Sequence, residues 1–316
     1  MEKMHKLGKK LFPINRSITG KGLRKTLKIL KKEVDLIKIK HVRSGTKVYD
    51  WKVPKEWNVK EAYVLDKNKK KIIDFKKNNL HLVGYSSPIK KSITKKVFFD
   101  HLHTQKNLRN AIPYVTSYYN DYWGFCASEN EKKKFNKKYK KNDKFFVFIN
   151  SNFNRKGKLS YGEVYLPGKL KKEILISTYI CHPSMANNEL SGPLVTLELI
   201  KSFSKVKHNI SLRFIFLPET IGSIFYINKN FKSLKKNVIG GYVLTCIGDN
   251  RNYSYLKSKY GNSLSDKAAI LAFNELKINP KFYSFLNRGA DERQYNSPKI
   301  DLGLGSIMRS KYGTYP

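Results

Sequence analysis

Cysteine is scarce in this chain of 316 residues: Cys126, Cys181 and Cys246 are odd in number and far apart. No disulfide framework is implied, and a reducing, cytoplasmic setting is expected. No window approaches the roughly 18 consecutive apolar residues of a membrane span. The basic start, Met1–Lys10, leads into no apolar secretory stretch. Acidic residues are few as well, 24 against 63 basic ones, leaving a formal net charge of +39. Within that excess arginine is the minor part, with 10 residues against 53 lysines. Readers of phosphates and bases favour the bidentate fork of arginine. Lysine scattered along the whole chain predicts a solvated surface instead, with nonspecific attraction to polyanions as a by-product. No specific nucleic-acid partner and no membrane partner are expected, and the oligomeric state stays open.

What is present can build a core. Hydrophobic residues make up 40% of the chain and aromatics 13%, which excludes disorder as the main state. The length allows one large domain or one domain carrying a small insertion. Leu23, Leu27, Leu30 and Val34 recur at helical spacing, predicting a helix from Gly20 to Val34 with Thr19 as its cap. Residues 46–98 change texture into short β-type runs bounded by polar turns, a small antiparallel module. From Lys144 onward apolar runs alternate with helical patterns. Strands are expected at Lys144–Asn150, Tyr161–Leu166, Glu173–Cys181, Ser211–Leu217 and Val238–Ile247. Helices are expected at Gly192–Phe203, from Ser223 to about Phe231, and from Ser263 to Leu276. That alternation predicts an α/β fold with a mostly parallel sheet covered on both faces.

Ligands of open α/β sheets bind beyond the carboxyl ends of the strands. There stand His182 and Asn187-Asn188-Glu189, then Glu219, then Asp249, and later Arg288–Gln294. One imidazole and several carboxylates, each at a strand end, suit a hydrolytic metal site. Blander roles exist for each. His182 can cap a strand end, Glu219 suits a helix start, and Asp249-Asn250 is a common turn pair. His101 and His103 would share one side of a strand, as a surface pair rather than a metal pair. Trp51 and Trp57 read as packing residues of the inserted module. Cys181 beside His182 suggests a nucleophile, but no base partner is evident and its strand-end position favours burial.

Three blocks are specific: Tyr179–Gly192, Pro218–Ser223 and Arg288–Tyr295. Together with Leu11–Gly20, Asp50-Trp51, Leu80–Tyr85 and Ile112–Tyr119, they make the chain resemble bacterial aminopeptidase-like proteins of polysaccharide biosynthesis. That family is similar in turn to co-catalytic zinc aminopeptidases. The resemblance implies a zinc-aminopeptidase-like (phosphorylase/hydrolase-like) core at 1–45 and 99–316, interrupted by a β module at 46–98. It implies a metal-dependent hydrolase cleaving an amide bond in a small peptide or amide-containing glycan, with zinc as cofactor. His182 matches the first zinc-binding histidine, and Asn188 stands where the family has a bridging aspartate. Glu219 matches the general base, Thr220 stands in place of a second glutamate, and Asp249 matches a later aspartate ligand. Arg288, Asp291 and Arg293 would bind substrate. A last histidine, in a Glu-Tyr-His-Thr-Ser segment, and a winged-helix domain are expected beyond Pro316. A neutral amide at Asn188 bridges two cations poorly, and Thr220 offers only a hydroxyl. The rival expectation is therefore a non-catalytic binding protein with a degraded metal site.

Overall fold

A computed structural model describes residues 2–314. Its frame is an eight-stranded sheet in the order 38–43, 158–166, 210–217, 170–179, 238–244, 304–308, 254–256, 281–283. The four central strands, from 210–217 to 304–308, pair in parallel. Strands 38–43 and 158–166 add antiparallel pairings on one side, and 254–256 adds another on the far side. The sheet is thus mixed, with the expected parallel centre. Ser177, Thr178, Phe214, Ile215 and Phe216 are buried within it, as befits strands covered on both faces.

Helices follow the amphipathic logic of their sequences. Lys21–Glu33 buries Leu23, Leu27 and Leu30 and packs on strand 158–166 while its lysines face water. Thr19 does not cap this helix. Gly20 holds the N-cap position at φ 101°, where an added Cβ would lie 2.4 Å from the Trp57 carbonyl oxygen. The Thr19 hydroxyl instead pairs with Tyr85 Oη at 2.5 Å and accepts from Trp57 N at 3.1 Å. Ser191–Phe203 and Ile221–Asn237 pack on the central strands, the latter running well past Phe231. Leu264–Glu275 starts as expected, with Ser263 and Asp266 closing a capping box. A basic helix at Glu2–Leu11 has no counterpart among the sequence expectations.

The antiparallel module is larger than its sequence boundaries. Its four-stranded sheet runs 71–74, 56–65, 144–154, 89–94. Strand Lys144–Asn154, expected in the α/β core, pairs with 56–65 on one side and 89–94 on the other. Trp57 is buried there, stacks on Tyr85 at 5.5 Å and donates Nε1 to the Ser86 carbonyl at 3.0 Å, a packing role. His101 stacks flat on Trp123 at 3.8 Å, and His103 Nε2 lies 2.7 Å from Tyr122 Oη. Tyr122 also stacks on His101 at 5.2 Å, so both imidazoles are taken up in one aromatic cluster. Among the described residues, no helix is long and apolar enough to cross a membrane.

Candidate functional site

The loops after three of the four central strands, 170–179, 210–217 and 238–244, converge, and each contains a strained residue. Ser184 (φ 45°), Thr220 (φ 62°) and Cys246 (φ 53°) are non-glycine residues in left-handed backbone. Such strain persists only where its surroundings over-determine it, and it concentrates at functional sites. Between Ala186 and Leu190 the chain makes one π-type turn before the helix Ser191–Phe203 begins. Gly192 lets that helix approach the sheet: an added Cβ would lie 2.3 Å from the Leu244 carbonyl oxygen.

His182 stands at the centre of this convergence. Its Nδ1 lies 2.9 Å from Glu189 Oε2 and its Nε2 lies 3.2 Å from Glu219 Oε2. The two carboxylates differ in access, since the Glu189 side chain is fully buried and that of Glu219 is 21% exposed. Burial by itself would lower the imidazole pKa. Cys181, Glu189 and Tyr114 outweigh it and hold His182 well above its ordinary value. The Tyr114 and Tyr179 rings meet the imidazole edge-on at 5.1 and 5.5 Å. Tyr114 Oη pairs with Tyr118 Oη at 3.2 Å, and Tyr118 in turn lines a cavity of about 520 Å³ with Tyr85, Tyr119 and Phe153.

Several buried polar atoms of this cluster lack a hydrogen bond. They are His182 Nδ1, both Glu189 carboxylate oxygens, Arg16 Nη2 and Asp291 Oδ2. Cys181, His182 and Glu189 bring their donor atoms within 4.8 Å of one another. Burial pushes the Cys181 thiol up to about 11, and its sulfur accepts from Glu219 N at 3.3 Å. An undissociated thiol of this kind is a supporting group and a poor nucleophile.

The other residues singled out in the sequence are placed as follows. Asn188 accepts from Tyr179 Oη at 3.3 Å and directs its Nδ2 at Cys246 Sγ, 3.8 Å away. Asp249 accepts from Asn187 Nδ2 at 2.8 Å, Ser310 Oγ at 2.9 Å and Arg251 N at 2.9 Å, which ties three loops together. Both are engaged by protein hydrogen bonds. Asp291 is fully buried and accepts from Thr220 N at 2.7 Å and Ser223 Oγ at 2.8 Å. It therefore supports the strained turn that carries Glu219. Its burial, with the Glu219 charge nearby, pushes its carboxyl up to about 8. Arg288 and Arg293 are exposed, and Arg288 folds over the Phe285 ring at 4.8 Å. Only His182 and Glu219 of the expected set meet directly.

Sequence reading gave no role to Arg16, Tyr114 or Tyr179. Arg16 lies in the Leu11–Gly20 block and Tyr114 in Ile112–Tyr119, so their specific surroundings were visible but their target was not. Arg16 is fully buried and donates Nε to the His182 carbonyl at 2.9 Å, across 166 residues of sequence.

Comparison with known proteins bears on the family and the fold. Residues 5–316 match the family described as a domain of unknown function, DUF4910. A Clostridium acetobutylicum protein is 45% identical over 312 residues, covering 98% of this chain and 70% of its own length. It is named as a polysaccharide biosynthesis protein with an aminopeptidase-like domain. A crystal structure of a peptidase from the same organism superposes with a TM-score of 0.94 at 43% identity, over 99% of this chain and 72% of that one. A zinc aminopeptidase from Bacillus subtilis shares the fold, with a TM-score of 0.68 at 12% identity over 100% of this chain and 85% of that one.

Proposed function

The chain belongs to the DUF4910 family, and from that premise we propose that it is an aminopeptidase-like hydrolase that cleaves amide bonds with one bound zinc ion. The observation that carries the reading is His182 at the strand ends, flanked by a buried carboxylate and a solvent-reaching one. Among the described residues the donors suit at most one ion, not a pair. On the open side His182 Nε2 is the donor that would hold the ion, with Glu219 beside it as a free base, whereas Asn188 and Asp249 are engaged by protein hydrogen bonds. A zinc ion held at His182 would supply the Lewis acid for polarising the scissile carbonyl and acidifying water.

The chain's own residues supply the rest. Glu219, held by the turn that Asp291 braces, takes the proton of the attacking water and returns it to the leaving amine. Tyr114 and Tyr179 wall the imidazole and keep water from its faces. The cavity beyond Tyr118 seats the substrate's neighbouring group, a side chain of a small peptide or a sugar of an amide-containing glycan. Aromatic rings such as Tyr118 and Tyr119 suit either by stacking.

Zinc content of the purified chain, read beside release of p-nitroaniline from aminoacyl p-nitroanilides, tests this. About one zinc per chain is expected, lost in His182→Ala. Glu219→Gln should keep the zinc fold intact but lower turnover by about 10²–10⁴-fold, the usual contribution of a positioned base. A chain that takes up no zinc, or a Glu219→Gln variant with unchanged turnover, overturns the reading.

A further inference from the structure

We propose that the cavity beyond Tyr118 is a pyranose subsite, so that the amide brought to His182 and Glu219 is carried by a sugar ring rather than by a peptide. The proposal rests on the hydrolase reading above and deepens it by naming the substrate class. The cavity measures about 520 Å³, within the roughly 300–1,000 Å³ of small-molecule sites. Its lining is of two kinds. Tyr118, Tyr119 and Phe153 contribute rings, and Lys55, Asn120 and Asp121 contribute polar groups beside them. A pyranose is divided in the same way, with C–H groups on its faces and hydroxyls around its edge.

The polar groups discriminate between a sugar and a peptide side chain. A lysine ammonium only donates, a carboxylate only accepts, and an asparagine amide does both. Neighbouring hydroxyls, each a donor and an acceptor, can meet all three at once. An apolar side chain would meet none of them. A charged side chain would gain from one of Lys55 and Asp121 and be repelled by the other. Ser87 Oγ donates to Asp121 Oδ1, which steadies the carboxylate.

The aromatic wall is held in place by the protein itself. Tyr119 is 54% exposed, yet its hydroxyl donates to the Lys52 carbonyl at 3.1 Å and its ring meets Trp51 edge-on at 5.9 Å. An exposed ring anchored in this way loses little further freedom when a ligand stacks on it. Ser117 Oγ donates to the Tyr85 carbonyl at 3.0 Å, and Ser87 N donates to the Tyr122 carbonyl at 2.7 Å. These bonds tie the 112–122 segment to the 84–88 loop across the cavity. Tyr118 has left-handed backbone, at φ 43°, a strain that functional sites retain. Its hydroxyl pairs with that of Tyr114, whose ring walls the imidazole at 5.1 Å. The subsite and the strand-end site are therefore neighbours through one pair of tyrosines.

Saturation-transfer NMR on the full chain without added metal tests the assignment. Two probe sets are compared, methyl glycosides of N-acetylated hexosamines and the amides of leucine, phenylalanine and lysine. Sugar ring protons should saturate, and Tyr119→Ala should weaken sugar binding by about 2–10-fold. Tyr119→Phe, which keeps the ring, should retain most of it. Asp121→Asn should cost about 10-fold, as for a hydrogen bond to a charged group. Both positions are exposed, so the variants leave the core intact. Saturation of the amino-acid amides alone, lost in Tyr119→Ala, would assign the cavity to peptides and overturn the proposal. Sugar saturation indifferent to Tyr119 and Asp121, or none at all, would overturn it as well. The two readings fail separately: a chain that holds the sugar but takes up no zinc keeps the subsite and loses the hydrolase, and one that turns over aminoacyl p-nitroanilides but saturates no sugar does the reverse.

Discussion

Two buried charge networks sit at opposite ends of the same central strands, and they are built on opposite principles. Toward the strands' amino ends, Arg213 donates to both Glu173 oxygens at 2.6 and 3.0 Å and to Glu163 at 2.8 Å. Tyr226 and Lys40 bond the same Glu163. Burial alone would lower the Arg213 pKa, but Glu173 and Tyr226 raise it above its ordinary value. At the carboxyl ends, Arg16, Glu189, His182 and Glu219 form an equally buried chain of charges, yet several of its atoms have no hydrogen bond. A saturated network has nothing left to give and serves as a clamp. An unsaturated one keeps binding capacity in reserve, at a cost in stability that the rest of the fold must carry.

Breaking the saturated network should produce the largest stability effect. Arg213→Met leaves Glu173 and Glu163 without their guanidinium in a largely buried setting. Denaturant unfolding should register a loss of about 3–5 kcal/mol, while the folded fraction keeps the zinc stoichiometry of wild type. A loss below about 1 kcal/mol would erase the distinction between the two ends.

An effect of pH, with a sign of its own, belongs to Asp291 beside the unsaturated network. Its folded pKa, about 8, is raised above its ordinary value of 3.8, so folding favours the protonated form. Its contribution is fully present below pH 4 and is lost as pH rises toward 8, by at most about 1.4 kcal/mol per pH unit. Asp291→Asn keeps an acceptor for Thr220 and Ser223 but cannot ionise. Chemical denaturation across that window should show a flatter stability profile for the variant than for wild type. Parallel profiles would show that Asp291 is ionised in the folded chain.

The smallest effect is a control away from both ends. Ser263 caps the helix Leu264–Glu275 through Asp266, and Ser263→Ala should cost about 1 kcal/mol in unfolding free energy. Zinc binding and turnover should not move. A change in either would mean that the cap communicates with the site.

How far the residues could be read depended on the range of the interactions involved. The helices at Lys21–Glu33, Ser191–Phe203 and Leu264–Glu275 follow from spacing and capping within a dozen residues, so they were legible with only small boundary shifts. Lys144–Asn154 was legible as a strand but not as a member of the second sheet. An apolar run looks alike in either sheet, and its partners lie some 50 to 98 residues earlier. His182 and Glu219 were found because each ends a strand, a local signal. Asp291 was recognised as a site residue, but its burial beneath Thr220 was not legible, since it depends on a contact across 71 residues.

The sequence by itself determined the alternation of strands and helices, the strand-end loops that carry chemistry and the kinds of side chain in them. Periodicity and strand ends are local properties, written within a few turns of the chain. Tertiary structure alone decided which of those side chains meet. It drew Arg16 across 166 residues to His182, set Glu189 rather than Asn188 against the imidazole, and turned Asp249 toward Ser310. The reason is physical: a buried charge is stable only beside its counterpart, and that counterpart is supplied by the packing of distant segments.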